Sequence, residues 1–142
     1  MTHAPIFQLD TDICIHLLNG NEQVKQRVAQ VGVDTLAVAM PAICELYFGA
    51  YNSSRVDENV RRVREFIEPP GPLVLTVDET AAEIFGQVRT DLRRTGQPLD
   101  DMDLLIASVA LAHGLTLVTN NTSHFQRIPR LSLDNWLLPV QG

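Results

Sequence analysis

Four short apolar runs punctuate this chain, at residues 6–9, 35–40, 73–77 and 115–119, and segments of helical period separate them. Runs of this length suit strands buried on both faces rather than helices. Between them the apolar spacing changes. Val56, Val60, Val63, Phe66 and Ile67 recur at three- and four-residue intervals, as do Ala81, Ile84, Phe85, Val88 and Leu92. Strands that alternate with helices can pair in parallel, because a helix supplies the crossover that a parallel pair needs. The expectation is an α/β fold: a three-layer α/β/α sandwich around a mostly parallel, roughly five-stranded sheet, with a short fifth strand at 131–133.

The punctuation agrees with that reading. Residues 11–18 read as a helix stopped by Asn19 and Gly20, and Asn21 caps a second helix at 22–31 that ends at Gly32. Pro41 suits the first turn of a helix running to about residue 51, and Ser53 or Ser54 can cap the next. Residues 68–72, Glu-Pro-Pro-Gly-Pro, are an abrupt break. Asp78 or Thr80 starts a long amphipathic helix ended at 96–98, and a further helix at 100–113 closes on Gly114. No internal repeat or linker interrupts the pattern, so residues 1–142 are expected to form a single domain. A chain of this size can bury enough surface to fold without staples. Cys14 and Cys44 both sit in apolar helical sequence and are expected as buried free thiols. With no basic-then-apolar leader and no membrane-length run, a reducing cytoplasm is the expected compartment and no membrane partner is expected.

Polar residues placed against the apolar runs suggest function. Asp10 ends the first run, Asn121 follows the fourth, Glu45 lies inside Pro-Ala-Ile-Cys-Glu-Leu, and Asp103 opens Asp-Leu-Leu-Ile-Ala. A carboxylate embedded in apolar sequence is costly to bury unless something compensates it. In open parallel sheets, ligands sit beyond the carboxyl ends of the strands, and all four residues can face that edge. Clustered carboxylates repel one another; a hard divalent cation such as Mg²⁺ or Mn²⁺ would relieve the repulsion and prefers oxygen ligands. Such an ion neutralises charge building on a phosphoryl oxygen and makes water a better nucleophile. No Cys/His spacing suggests zinc.

Each residue also has a plainer reading. Asp10 and Asp12 suit a helix start, as do Asp100, Asp101 and Asp103. Glu45 could be an exposed helix residue, Asn121 a turn residue, and Thr119 an ordinary strand residue or a hydroxyl orienting a carboxylate. The net charge of −6 argues against a surface that grips phosphate everywhere. Lys25 is the lone lysine, and the arginines cluster at Arg61, Arg62 and Arg64 and at Arg89, Arg93 and Arg94. Arg93 and Arg94, or Arg61 and Arg62, are candidate phosphate contacts, and at least one cluster is expected to be only a solvated helix face.

The chain resembles the PIN-domain ribonucleases and, within them, the VapC-type toxins of bacterial toxin–antitoxin pairs. The resemblance rests on Leu-Asp-Thr-Asp-Ile-Cys-Ile at 9–15, the segment around Glu45, Asp-Leu-Leu-Ile-Ala at 103–107, Leu-Val-Thr-Asn-Asn-Thr at 117–122, Phe125 and Trp136. It implies the PIN-like sandwich and Mg²⁺- or Mn²⁺-dependent endonucleolytic cleavage of RNA, with transfer or ribosomal RNA as substrate. It places the metal-binding acids on Asp10, Glu45 and Asp103 and the fourth catalytic position on Asn121, where relatives often carry Asp. An amide brings no negative charge, which weakens the case for a tightly held second ion. Thr11, Thr119 and Asp101 are assigned supporting roles, Asp101 chiefly as helix-start charge. The resemblance also implies a homodimer and a cognate antitoxin that pushes a basic side chain into the acidic pocket. Residues 43–51 and 56–67 are the expected antitoxin contacts, unless they are core.

Two other readings compete. A strand ending in Asp10-Thr11-Asp12 also suits a haloacid-dehalogenase-type phosphatase, but Lys25, the one candidate phosphate-binding lysine, lies too early in the chain. A catalytically weak PIN scaffold that binds antitoxin or RNA is suggested by Asn121 alone.

Overall fold

In the computed structural model, which describes residues 4–139, the apolar runs become strands of one sheet. They are β1 (Phe7–Leu9), β2 (Leu36–Ala39), β3 (Leu73–Leu75) and β4 (Thr116–Val118), and β5 (Leu133–Asp134) completes the sheet. All four pairings are parallel, in the order β3-β2-β1-β4-β5. The chain steps outward from β1 to β3, then crosses back to β4. The carboxyl ends of β1 and β4 therefore meet where the strand order reverses, the usual ligand position in such sheets.

Helices α1 (Thr11–Leu18), α2 (Glu22–Val31), α3 (Met40–Tyr51), α4 (Val56–Ile67), α5 (Glu79–Arg94), α6 (Asp101–His113) and α7 (Thr122–Phe125) make the connections. Caps mark their starts as expected. Asn21 accepts from Val24 N at 3.1 Å, Asp78 from Ala81 N at 2.9 Å and Asp100 from Met102 N at 2.8 Å. Gly114 ends α6 at φ 64°, a left-handed conformation that glycine adopts without Cβ strain. Gly71 is required for another reason: a Cβ there would lie 2.7 Å from Phe66 O and 2.9 Å from Glu68 O.

Central strands β1 and β2 are almost wholly buried, and Leu9, Leu36, Val38, Leu117 and Val118 are at most 1% exposed. Each such side chain contributes on the order of 1.5–3 kcal/mol. Trp136 closes the β5 edge. It is fully buried, meets Phe7 edge-on at 5.1 Å between ring centroids, and donates to Asp134 Oδ2 at 3.1 Å.

Three expectations need correction, and one helix was absent from them. The fifth strand falls at Leu133–Asp134 rather than at 131–133. Neither Ser53 nor Ser54 caps α4, whose N-cap is Arg55; Ser53 instead donates to Ala50 O at 2.6 Å and accepts from Asn59 at 2.9 Å. Cys14 is buried but Cys44 is exposed. The reason is packing: α3 buries its Ala42, Ile43, Leu46 and Ala50 face, which turns Cys44 and Phe48 outward. Helix α7 was not foreseen, because four residues carry too little periodicity to be seen in sequence.

Candidate active site

Asp10 follows the last residue of β1 and caps α1. Its backbone N–H donates to Val118 O at 2.9 Å, which ties it to β4. Its Oδ1 accepts from Thr11 N at 2.8 Å and its Oδ2 from the Thr119 hydroxyl at 2.8 Å. Thr119 in turn accepts from Asn121 N at 2.9 Å, so one hydroxyl joins the first acid to the turn beyond β4. Thr11 donates from Oγ1 to Glu45 Oε1 at 2.6 Å, which draws α3 toward the same rim. The cap reading and the site reading of Asp10 are thus both true: one oxygen caps, the other faces Thr119.

Asp103 arrives from the first turn of α6. The seat of α6 is set deeper down, where Gln8 on β1, fully buried, donates from Nε2 to Ile106 O at 2.8 Å. Gln8 lies two residues before Asp10, and Ile106 lies one turn after Asp103. This bond therefore couples the strand bearing one acid to the helix bearing the other. Among the described residues Gln8 Oε1 is a buried side-chain acceptor without a partner, a cost that packing alone would not select.

Electrostatics couple the acids to one another. Asp10 is pushed up to about 7, first by burial, then by the Asp12 carboxylate; the hydrogen bonds from Thr119 and Thr11 oppose the shift, and Asp103 adds a smaller push. Asp103 is also raised, by burial, then by Asp100 and Glu45, against a lowering from His124 and with a last small push from Asp12. Burial raises Asp12, partly offset by N–H donors. Among the described residues no three acidic, His or Cys side chains are gathered closely enough to form a ready cage for an ion. What they form is a rim of mutually repelling oxygen donors, held at different depths. All-carboxylate donors that resist their own charge are the chemistry a hard divalent cation satisfies.

Asn121 lies on this rim, where its side-chain amide pairs with His124 Nδ1 at 2.8 Å. Asp101 does not face it. The Asp101 carboxylate turns to α5 and pairs with Arg89 Nε at 3.0 Å. Asp12 serves the helix start as expected and makes one further, long-range contact. Its Oδ1 accepts from Ile13 N at 2.7 Å, but its Oδ2 reaches across to Asn120 N at 3.0 Å. Its two-residue spacing from Asp10 was the available signal, and it was masked by the usual acidic preference of helix starts. His124 was missed along with α7.

A groove of about 240 Å³ opens beside Glu45 between α1, α3 and α4, with Ile15, Leu18, Leu46, Ala50 and Val63 on its walls. Arg62 crosses its end, where Nη2 donates to Leu18 O and Nη1 to Asn59 Oδ1. Ile15, Phe48 and Tyr51 are large apolar side chains left 45%, 71% and 61% exposed on these helices.

The model of the PIN domain family matches residues 8–131. The chain is 32% identical to Ribonuclease VapC2 of Rickettsia felis over 133 residues, which covers 92% of this chain and 98% of the relative. It is 34% identical to the tRNA(fMet)-specific endonuclease VapC of Salmonella typhimurium over 131 residues, covering 92% and 97%. Among solved structures it is similar to DNA-bound VapBC from Salmonella typhimurium, with a TM-score of 0.87, 33% identity and coverage of 94% and 99%. VapBC2 from Rickettsia felis bound to a promoter DNA fragment is similar at a TM-score of 0.85 and 30% identity, covering 92% and 98%.

Proposed function

Because the chain belongs to the PIN-domain family and is a VapC-type ribonuclease toxin of a toxin–antitoxin system, we propose that Asp10, Glu45 and Asp103 hold the divalent cation with which it cleaves RNA, within a single domain spanning residues 1–142. The observation that carries this assignment is Asp10 itself. It is 5% exposed, each of its oxygens is held by a donor, and its carboxyl is pushed up to about 7. A structural cap has no need of such an environment.

Mg²⁺ or Mn²⁺ bound there would supply a Lewis acid at a phosphoryl oxygen and an acidified water. The protein's part is positional. Thr119 orients Asp10, Thr11 orients Glu45, and the Gln8 bond to α6 sets where Asp103 stands. Asn121 offers an amide oxygen or an N–H donor at the rim, where it holds a water or a substrate oxygen without adding charge. Two relatives carry the name tRNA(fMet)-specific endonuclease, so transfer RNA is the first substrate class to test.

The groove between α1, α3 and α4 is proposed to receive the apolar face of an antitoxin segment. A basic side chain from that segment would then meet Glu45 at the groove's mouth. The test is to incubate the purified, antitoxin-free protein with total RNA and Mg²⁺ or Mn²⁺, then map the cut ends. Discrete cuts are expected in transfer RNA, abolished by chelator and by Asp10→Asn. Cuts that persist in both controls refute the metal site.

A further inference from the structure

The acidic rim repels the polyanion it is to cut, and the whole chain carries −6, so the strand needs a cationic surface next to the site. Five of the eleven basic residues are engaged or remote. Arg27 donates to Asp134 and lies over Trp136, Arg55 pairs with Glu58, and Lys25 pairs with Glu22. Arg62 is committed to Leu18 O, Asn19 and Asn59. Arg130 sits beside Gly114 and Leu115, at the amino end of β4 and so away from the rim.

Arg61, Arg64 and Arg94 stand exposed on α4 and α5, whereas a cleft of about 170 Å³ between α5 and α6, the helix that bears Asp103, is lined by Arg89, Arg93, Pro98, Leu99 and Asp101. Arg93 is exposed and makes no hydrogen bond or ion pair with another described residue. A continuous path joins this cleft to the rim. His124 pairs with Asn121, the Arg127 N–H donates to His124 O at 3.3 Å, and the Arg127 guanidinium donates from Nη1 to Pro98 O at 3.1 Å. Pro98 in turn lines the cleft together with Arg93.

We infer that the α5–α6 cleft, through Arg93 and Arg89 with Arg127 at its entrance, is a backbone-phosphate subsite that holds the RNA strand as it leaves the carboxylate rim. This rests on the ribonuclease reading and extends it to where the substrate lies. Guanidiniums suit the task because each offers forked donors to phosphate oxygens. Asp101 tempers the site: its ion pair with Arg89, 3.0 Å long, withholds one guanidinium until phosphate competes for it.

The test measures binding of a fluorescent single-stranded RNA with EDTA present, where cleavage is silent, and cleavage kinetics separately. Arg93→Glu is expected to weaken binding about fivefold or more and to flatten the salt dependence by roughly one phosphate contact. It raises KM more than it lowers kcat, and Mn²⁺ affinity stays unchanged. Asp101→Asn, which releases Arg89, is expected to tighten binding. Arg64→Glu on α4 makes the same charge change away from the cleft and leaves binding as it was.

Unchanged binding in Arg93→Glu, no tightening in Asp101→Asn, or an equal loss in Arg64→Glu each overturns the subsite. So does a wild-type protein that does not bind RNA. Wild-type binding that Arg93→Glu abolishes, without any cleavage, would instead sink the nuclease reading and leave the subsite standing.

Discussion

The two sides of the acidic rim are built differently. On the strand side, both oxygens of Asp10 and both of Asp12 accept hydrogen bonds, three of the four from backbone N–H groups. On the helix side, Asp103 accepts no hydrogen bond among the described residues and is half-buried, while Glu45 is held by the single Thr11 hydroxyl. One side is a preformed seat. The other rests on helix placement and the single Thr11 hydroxyl. This division of labour suits a site whose cation must bind with waters and substrate still on it.

The comparison can be broken first at the acids. Asp10→Asn and Asp103→Asn should each lower RNA cleavage by at least about 100-fold, more than the roughly 10–100-fold typical of groups that merely support a metal ligand. Both variants should melt no earlier than the wild type without divalent cation, since like-charge repulsion is relieved. Retained cleavage in either variant would end the assignment.

Next is the hinge between the two sides. Thr119→Val removes the donor to Asp10 Oδ2 and should weaken Mn²⁺ binding by about 10-fold or more. Calorimetry on the metal alone checks this without any RNA. Gln8→Leu deletes both the bond to Ile106 O and the orphaned Oε1. Stability should change by no more than about 1 kcal/mol, because a lost hydrogen bond and a removed buried acceptor offset each other. Activity should fall severalfold as α6 loses its register against β1. A melt that drops steeply would make Gln8 a packing residue only.

The pH dependence sharpens the contrast further. Asp10 is raised from 3.8 to about 7 in the fold, so between these values the folded state keeps a proton that the unfolded chain has lost. Stability on this account is fully present at acid pH and is lost as pH rises through about 7. The wild-type melting temperature should therefore fall relative to Asp10→Asn from about pH 4 to about pH 7, and added Mg²⁺ should restore it chiefly at the upper end. Parallel curves would show that the pocket does not hold the proton. The smallest effect expected is that of Asn121→Asp, which adds charge to the rim beyond β4 and should tighten Mn²⁺ binding severalfold.

Much of this was legible in the order of residues, and the exceptions are instructive. Strand positions followed from the apolar runs, and caps at Asn21, Asp78 and Asp100 from side chains that reach only two or three residues. Asp10 and Asp103 stood out because acids bordering apolar runs demand an explanation. Asp12 did not, since its decisive bond runs to Asn120, far along the chain. Asp101 and Arg62 were equally ambiguous until their partners, Arg89 and Leu18 O, came into view. Cys44 shows the same limit in the core: its flanks are apolar, yet only the choice of α3's packed face left it outside.

Local pattern by itself determined that strands and helices alternate and that acids stand at strand ends; burial on both faces held for β1, β2 and β4 but not for β3, where Leu73 is 51% exposed at the sheet edge. Those features depend on neighbours a few residues apart, whose spacing the backbone geometry dictates. Tertiary structure alone decided the order β3-β2-β1-β4-β5, which places Asp10 beside Thr119. It also decided which arginines are paired, Arg27 with Asp134, Arg62 with Leu18 O and Arg89 with Asp101. Such outcomes arise from burial competing over the whole chain at once, and a carboxylate or guanidinium acquires its role from the partner that burial brings to it.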